Sequence, residues 1–155
     1  MGQRVFGPAG WTRNGSLAEY TAVEARNLAP LPAGIGHTVA AALPISGLTA
    51  WQALSGHAHL ETGQTVLIHG AAGGVGSIAV QLAHELGARV IGTGRSGDRE
   101  VALGLGADAF ADLQAGRLKD AGRLRPGPAG PRQDDHPGRP RRGLMVVSAW
   151  PCGRY

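Results

Sequence analysis

The chain has 155 residues, of which 43% are hydrophobic and 17% are charged, so it can bury a globular core and is not disordered throughout. No apolar run reaches membrane-spanning length and the start lacks a signal-peptide pattern, so we expect a cytoplasmic protein with no membrane partner. The single cysteine, Cys152, excludes an internal disulfide and a cysteine-based metal cluster.

The net charge of +4 is unevenly distributed. Residues 1–116 hold six basic and eight acidic residues, whereas residues 117–155 hold nine basic and three acidic ones. Residues 117–142 also contain five of the ten prolines and show no apolar periodicity, so we interpret them as a loop or disordered chain. A nucleic-acid-binding tail is the alternative, but aromatic residues are absent from this segment. We therefore expect no nucleic-acid partner.

The first third of the chain predicts short strands and helices. Val5–Phe6 and residues 17–23 alternate as strands do, and residues 28–34 form a loop because their prolines cannot donate ladder hydrogen bonds. From residue 37 to 54 the pattern is helical, and we expect Pro44 to break it into two helices.

Strands and helices then alternate. Thr65–His69 is an apolar run of strand length, and residues 77–86 have the periodicity of an amphipathic helix that ends at Gly87. Further strands are predicted at 89–93, 107–111 and 144–148, with a helix through residue 105 that Asp98 caps. This alternation predicts an α/β fold, a parallel sheet with helices on both faces.

A glycine-rich turn lies between the first of these strands and its helix. The spacing Ala71-x-Gly73-x-x-Gly76 is the dinucleotide fingerprint with alanine in the first place. In such a Rossmann-like unit, the helix dipole and backbone N–H groups attract a phosphate, and the glycines allow close backbone approach. We favour this interpretation over a turn without a ligand. In this turn, whose residues 72–76 are Ala72, Gly73, Gly74, Val75 and Gly76, Gly73 would let the backbone approach the pyrophosphate and Gly76 would let the helix pack close to the strand.

The end of the second strand predicts which cofactor binds. An NAD site has Asp or Glu there to accept hydrogen bonds from the ribose hydroxyls. This chain has Gly94, Arg95 and Ser96 instead, and arginine and serine can bind a 2′-phosphate. NADPH is therefore predicted over NADH. The alternative is that Arg95 is a solvated surface charge.

Longer stretches carry a family resemblance. Residues 43–54 are Leu-Pro-Ile-Ser-Gly-Leu-Thr-Ala-Trp-Gln-Ala-Leu, and residues 63–76 are Gly-Gln-Thr-Val-Leu-Ile-His-Gly-Ala-Ala-Gly-Gly-Val-Gly. With residues 2–6, 86–91 and 105–108, they closely resemble the quinone oxidoreductase and zeta-crystallin branch of the medium-chain dehydrogenase/reductase superfamily. The match runs from about residue 2 to 115.

The resemblance implies an enzyme that transfers hydride from NADPH to quinones or other conjugated carbonyls, small-molecule substrates, and an intact parent that is a homodimer. Zinc-dependent relatives carry a four-cysteine lobe where residues 11–16 lead directly to the next strand, which implies a zinc-independent enzyme with no metal site. No catalytic residue is assigned. The family's cofactor-binding positions fall on Thr49, near the nicotinamide and phosphates, on residues 73–76, and on Gly94, Arg95 and Ser96.

The resemblance also predicts an incomplete fold. Residues 1–34 correspond to the end of a GroES-like catalytic β domain, residues 35–122 to a partial NADP-binding Rossmann domain, and residues 143–155 to a late Rossmann strand and tail. Residues 123–142 depart from the family, and we interpret them as the frame-shifted translation of a fourth strand. Sequencing the DNA across codons 117–143 tests this interpretation.

Two other functions stay open. An enoyl-thioester reductase would use the same cofactor site, and the chain could instead be a non-catalytic or unstable nucleotide-binding fragment. We expect weak or no turnover, because much of the catalytic half-domain would precede residue 1 and the loss of a core strand would expose two sheet edges. Turnover of NADPH with a quinone separates these functions.

Overall fold

The computed structural model describes residues 2–10, 18–113 and 144–148. The chain divides into two compact units, Met1–Thr49 and Ala50–Tyr155. This division falls inside the segment predicted as the Rossmann domain, and the predicted domain bounds stay predictions. The proposed frame-shifted segment, residues 123–142, lies outside the described residues, as do residues 11–16 and Cys152. No helix in the described ranges is long and apolar enough to cross a bilayer.

The first unit contains a small antiparallel pair of strands. Strand β1 (Val5–Phe6) pairs with β2 (Ala29–Pro30), and the N–H of Leu31 donates to the carbonyl of Arg4 at 2.9 Å. The predicted loop at 28–34 is therefore wrong in part, because a proline is tolerated in a strand whose outer edge is unpaired. A 3-10 turn (Ala25–Asn27) precedes β2.

The strand predicted at 17–23 is wrong over its described residues. Residues 18–23 form no strand, and Tyr20 is 90% exposed. An alternating pattern specifies a strand only where one face is buried against a partner. These residues have no such buried face, so the alternation has no structural effect.

Helix α1 (His37–Trp51) runs through Pro44 without a break, so the predicted break is wrong. A proline inside a helix removes one hydrogen bond and costs about 3 kcal/mol. Ala40 and Pro44 lie four residues apart on one helix face, and both are buried. Burial of this face outweighs the local preference. The chain continues into a wider π-helical turn (Gln52–His57).

The second unit is a four-stranded parallel sheet, which confirms the predicted α/β class. Its strand order is β5-β4-β3-β6. The first strand of this sheet in chain order, β3, lies between β4 and β6, as in the half of a Rossmann fold that binds a mononucleotide. The strands are β3 (Thr65–His69), β4 (Arg89–Gly94), β5 (Ala109–Asp112) and β6 (Met145–Ser148). The helices are α2 (Gly74–Glu85) and α3 (Arg99–Gly104).

Aliphatic side chains of β3, β4 and α2 form the core. Val66, Ile68 and Val90 have no exposed surface, and burying such side chains stabilises a fold by about 1.5–3 kcal/mol each. The face of α2 that enters this core carries the small residues Ala79 and Ala83, also fully buried. Small side chains let a helix lie close to the sheet, which brings the start of α2 near the ends of β3 and β4.

Strand β6 fills the position beside β3. Its register runs from Val66 opposite Met145 to His69 opposite Ser148. Both positions beside β3 are therefore occupied, by β4 on one side and by β6 on the other. Strand β6 can form a parallel ladder with β3 because the hydrogen bonds of a ladder join backbone groups. These bonds do not require particular side chains.

Candidate functional site

The turn between β3 and α2 is fixed to the end of β4. Gly70 has φ +73, the left-handed region that favours glycine. The N–H groups of Gly70 and Ala71 both donate to the carbonyl of Thr93, each at 2.9 Å, and the N–H of Gly73 donates to the carbonyl of Gly70 at 2.9 Å. These three hydrogen bonds give the turn a defined backbone position at the carboxyl edge of the sheet.

Glycine at two positions allows α2 to begin directly against this turn. A Cβ on Gly76, which is buried, would overlap the carbonyl oxygen of Gly70 and lie 3.1 Å from the Cα of Ala71. A Cβ on Gly73 would lie 3.2 Å from the same carbonyl oxygen. Backbone atoms cannot move aside as a flexible side chain can, so only glycine fits at residue 76.

Helix α2 presents unpaired donors at its first turn. It begins at Gly74, three residues before the predicted start, after the N-cap Gly73, which has no side chain to cap it. Within the part of the chain that the structure describes, no backbone group accepts from the N–H of Gly74, Val75 or Gly76, as is usual for a first turn. Gly73 and Gly74 are exposed. Exposed N–H groups at the positive end of a helix dipole can bind a phosphate.

Thr93 and His69 join β3 to β4 beside the turn. The Nδ1 of His69 and the Oγ1 of Thr93 are 2.9 Å apart, and Thr93 is 3% exposed. The carbonyl of Thr93 accepts hydrogen bonds from the turn, and its hydroxyl is within hydrogen-bond distance of His69. Thr93 therefore links the turn to both strands. No motif in the sequence predicts a role for Thr93. Its one signal is a polar residue at the end of an apolar strand, immediately before the predicted 2′-phosphate region.

Arg95 and Ser96 lie at the same edge, directly after β4. Both are exposed, and Ser96 begins a 3-10 turn (Ser96–Asp98). No side chain in the described ranges bonds to the guanidinium of Arg95. Asp98 occupies the N-cap position of α3, as predicted, but its side chain makes no capping hydrogen bond to that helix and instead accepts from the N–H of Arg95 at 2.9 Å.

The structure thus brings most of the predicted cofactor-binding residues to one edge of one sheet. The turn at 72–76 and the residues 94–96 are linked through Thr93. Thr49 belongs to the other compact unit, where its Oγ1 donates to the carbonyl of Ile45 at 2.7 Å. Its predicted role near the nicotinamide stays a prediction. Among the residues that the structure describes, no three His, Cys, Asp or Glu side chains could hold a metal ion together.

Comparison with known sequences shows a consistent group of relatives. No protein-family model matches the chain. A 2-methylene-furan-3-one reductase from Solanum lycopersicum is 43% identical over 108 residues, which are 68% of this chain and 28% of the reductase. The spectinabilin polyketide synthase system protein NorB from Streptomyces orinoci is 43% identical over 107 residues, 69% of this chain and 5% of NorB.

Solved structures similar to this chain are also oxidoreductases. The quinone oxidoreductase from Coxiella burnetii has a TM-score of 0.71 and 32% identity, over 81% of this chain and 39% of that one. The quinone oxidoreductase from Thermus thermophilus, solved also with NADPH, has a TM-score of 0.62 and 40% identity, over 70% and 37%. The enoyl reductase of CurK has a TM-score of 0.53 and 36% identity, over 56% and 26%.

The chain spans about 28% of the length of the tomato reductase, so the resemblance concerns one part of such enzymes. Within that part, the sequence identities and the structural similarity agree with the predicted resemblance. The relatives and structural neighbours of the chain are oxidoreductases of the medium-chain dehydrogenase/reductase superfamily, quinone oxidoreductases among them, and the chain matches one part of these enzymes.

Proposed function

We propose that this chain is the nucleotide-binding part of a zinc-independent oxidoreductase that uses NADPH to reduce quinones or other conjugated carbonyls. Its relatives include quinone oxidoreductases, two of them solved with NADPH. The observation that carries the proposal is the turn before α2. There a Cβ at Gly76 would overlap the carbonyl oxygen of Gly70, and three first-turn N–H groups have no backbone acceptor among the described residues.

The turn would bind the pyrophosphate of the cofactor. The N–H groups of Gly74, Val75 and Gly76 are donors in fixed positions, so they lose little conformational entropy on binding. Gly73 has no side chain to hold a phosphate away from the backbone. Hydrogen bonds from Gly70 and Ala71 to Thr93 keep the turn on the sheet. These residues bind and orient the cofactor, and Ala72 lies in the same turn.

Arg95 and Ser96 would select NADPH. Both are exposed at the end of β4, where a dinucleotide fold places the adenosine ribose. A guanidinium and a hydroxyl can donate charge-assisted hydrogen bonds to a 2′-phosphate. Gly94 keeps the strand end free of a side chain at this point. NADPH, once bound, supplies the hydride.

The acceptor is assigned by relationship. The single cysteine of the chain, Cys152, rules out a four-cysteine zinc lobe formed by this chain alone, which supports zinc independence. Quinones and other conjugated carbonyls are proposed because quinone oxidoreductases recur among the similar structures. We propose the substrate, the homodimeric state and the cytoplasmic location for a whole enzyme of the relatives' length. The chain spans about 28% of one such relative.

A second candidate is reduction of an enoyl thioester. It is favoured by the similarity to the enoyl reductase of CurK and to the polyketide synthase protein NorB. Because the cofactor site would be the same, only the acceptor separates the two activities. NADPH oxidation in the presence of a soluble benzoquinone supports the first activity, and oxidation with an enoyl-CoA thioester supports the second.

Nucleotide binding itself is tested by titrating the purified chain with NADPH and NADH while following tryptophan fluorescence. We expect saturable binding, tighter for NADPH. Gly76→Ala should abolish binding of both nucleotides. Gly104→Ala is the matched control, because a Cβ at Gly104 meets no atom within 4 Å. Binding without oxidation by either acceptor would make the chain a non-catalytic nucleotide-binding unit. No binding to either nucleotide would contradict the proposed function.

A further inference from the structure

The end of β4 carries a carboxylate that the local sequence does not reveal. Residues 92–96 contain no acidic residue, yet the 3-10 turn returns Asp98 to the strand end. A Cβ added to Gly94 would lie 2.8 Å from Asp98 Oδ2 and 3.2 Å from Asp98 Cβ. The carboxylate therefore packs against Gly94, at the position where a dinucleotide fold places the adenosine ribose.

Two hydrogen bonds connect Asp98 to Arg95. The N–H of Arg95 donates to Asp98 Oδ2 at 2.9 Å, and the N–H of Asp98 donates to the carbonyl of Arg95 at 2.9 Å. Asp98 is partly buried, whereas Arg95 and Ser96 are exposed. The carboxylate thus fixes the backbone of the two residues whose side chains would meet a 2′-phosphate.

The same carboxylate also affects the charge of the site. A phosphate monoester carries about −1.5 to −2 charges at pH 7, and like charges a few ångströms apart repel each other even in water. NADH has a hydroxyl in place of that phosphate. The negative charge of Asp98 therefore opposes NADPH and has little effect on NADH.

We infer that Asp98 is a positioning residue of the 2′-phosphate site, and that its charge limits the preference for NADPH over NADH. This inference rests on the proposed function. One oxygen holds the turn that presents Arg95 and Ser96, and the charge of the group weakens phosphate binding at that turn. Removing the charge while keeping the acceptor should therefore strengthen NADPH binding.

Three variants of the full chain separate the two roles. Asp98→Asn keeps an oxygen acceptor without the charge, and Asp98→Ala removes both. Glu85→Gln removes an equal charge from an exposed residue at the far end of α2 and is the control. The measured quantity is the ratio of the NADH and NADPH dissociation constants on one sample. Both constants scale together with the folded fraction, so partial unfolding does not change their ratio.

We expect D98N to raise this ratio about threefold to tenfold over wild type, and D98A to fall below D98N by about threefold or more because the turn is released. E85Q should match wild type. A D98N ratio equal to wild type overturns the charge role, and equal ratios for D98N and D98A overturn the positioning role. If wild type lacks NADPH preference but D98N has it, the cofactor assignment fails and the inference stands. Binding of neither nucleotide contradicts both.

Discussion

The two neighbours of β3 form similar backbone ladders but differ in burial. β4 pairs with β3 along all of it and β6 along four residues, yet residues 90–94 of β4 are buried while Val146 of β6 is 63% exposed. The carbonyl that holds the glycine turn also belongs to β4, at Thr93. Backbone pairing can therefore place a strand in the sheet, while burial and the candidate site are concentrated on the β4 side.

The largest effect is expected at the turn that joins β3 to α2. Gly76→Ala forces a Cβ against the carbonyl of Gly70, and displacing backbone in a packed core costs about 1–3 kcal/mol or more. We expect loss of nucleotide binding and a lower free energy of unfolding in urea. The control, Gly104→Ala, should keep binding and leave stability equal or higher, because alanine favours a helix over glycine. Equal behaviour of the two variants would show that the close approach at Gly76 is not required.

Arg95→Ala tests whether the β4 side selects the cofactor. Loss of a charge-assisted hydrogen bond should weaken NADPH binding about tenfold or more and leave NADH binding nearly unchanged, as measured by fluorescence titration. Arg26→Ala is the control for lost positive charge, since Arg26 is 81% exposed in the other compact unit. An equal loss for NADPH and NADH would mean that Arg95 does not contact the 2′-phosphate.

A pair of valine variants tests the contrast in burial directly. Val90→Ala removes two methyl groups from a fully buried site on β4 and should lower the free energy of unfolding by about 1–3 kcal/mol. Val146→Ala on β6 should change it by no more than about 0.5 kcal/mol, as for an exposed position. Chemical denaturation measures both. Similar decreases in the free energy of unfolding for both variants would show that Val146 is as well buried as Val90.

The smallest effect is expected at the pair that supports the loop. Thr93→Val keeps the shape of the side chain and removes the hydroxyl that lies 2.9 Å from His69 Nδ1, which should cost about 0.5–1.5 kcal/mol of stability. Thr93→Ser keeps the hydroxyl and should restore most of the hydrogen-bond contribution. Since the turn is held by the carbonyl of Thr93, nucleotide binding should persist in both variants. Loss of binding in Thr93→Val alone would give the hydroxyl a larger role.

Sequence predicted the second unit better than the first for a physical reason. Buried strands such as β3 show an uninterrupted apolar run, and the glycine turn has a spacing that few other structures require. The pair β1–β2 and the continuous α1 depend on tertiary packing, which a local pattern does not contain. Pro44 illustrates this, because its burial keeps a helix that its local preference would break.

Within the candidate site, the sequence predicts the glycine turn and the residues at the end of β4. It does not predict the hydrogen bonds that connect them. Thr93 and Asp98 act through contacts that are distant in sequence or arise from a turn. The carboxylate of Asp98 reaches Gly94 only because a 3-10 turn reverses the chain. A motif fixes spacing along the chain, whereas these roles require knowledge of which backbone groups meet in space.

The central claim is that the cofactor binds at the β4 side of the sheet, at the start of α2 and the end of β4. Hydrogen exchange of backbone amides with and without NADPH tests it most directly. We predict slower exchange at Gly74, Val75 and Gly76 and at Arg95 and Ser96, with β6 unchanged. Unchanged exchange at residues 74–76 under saturating NADPH, or protection confined to β6, would contradict the account.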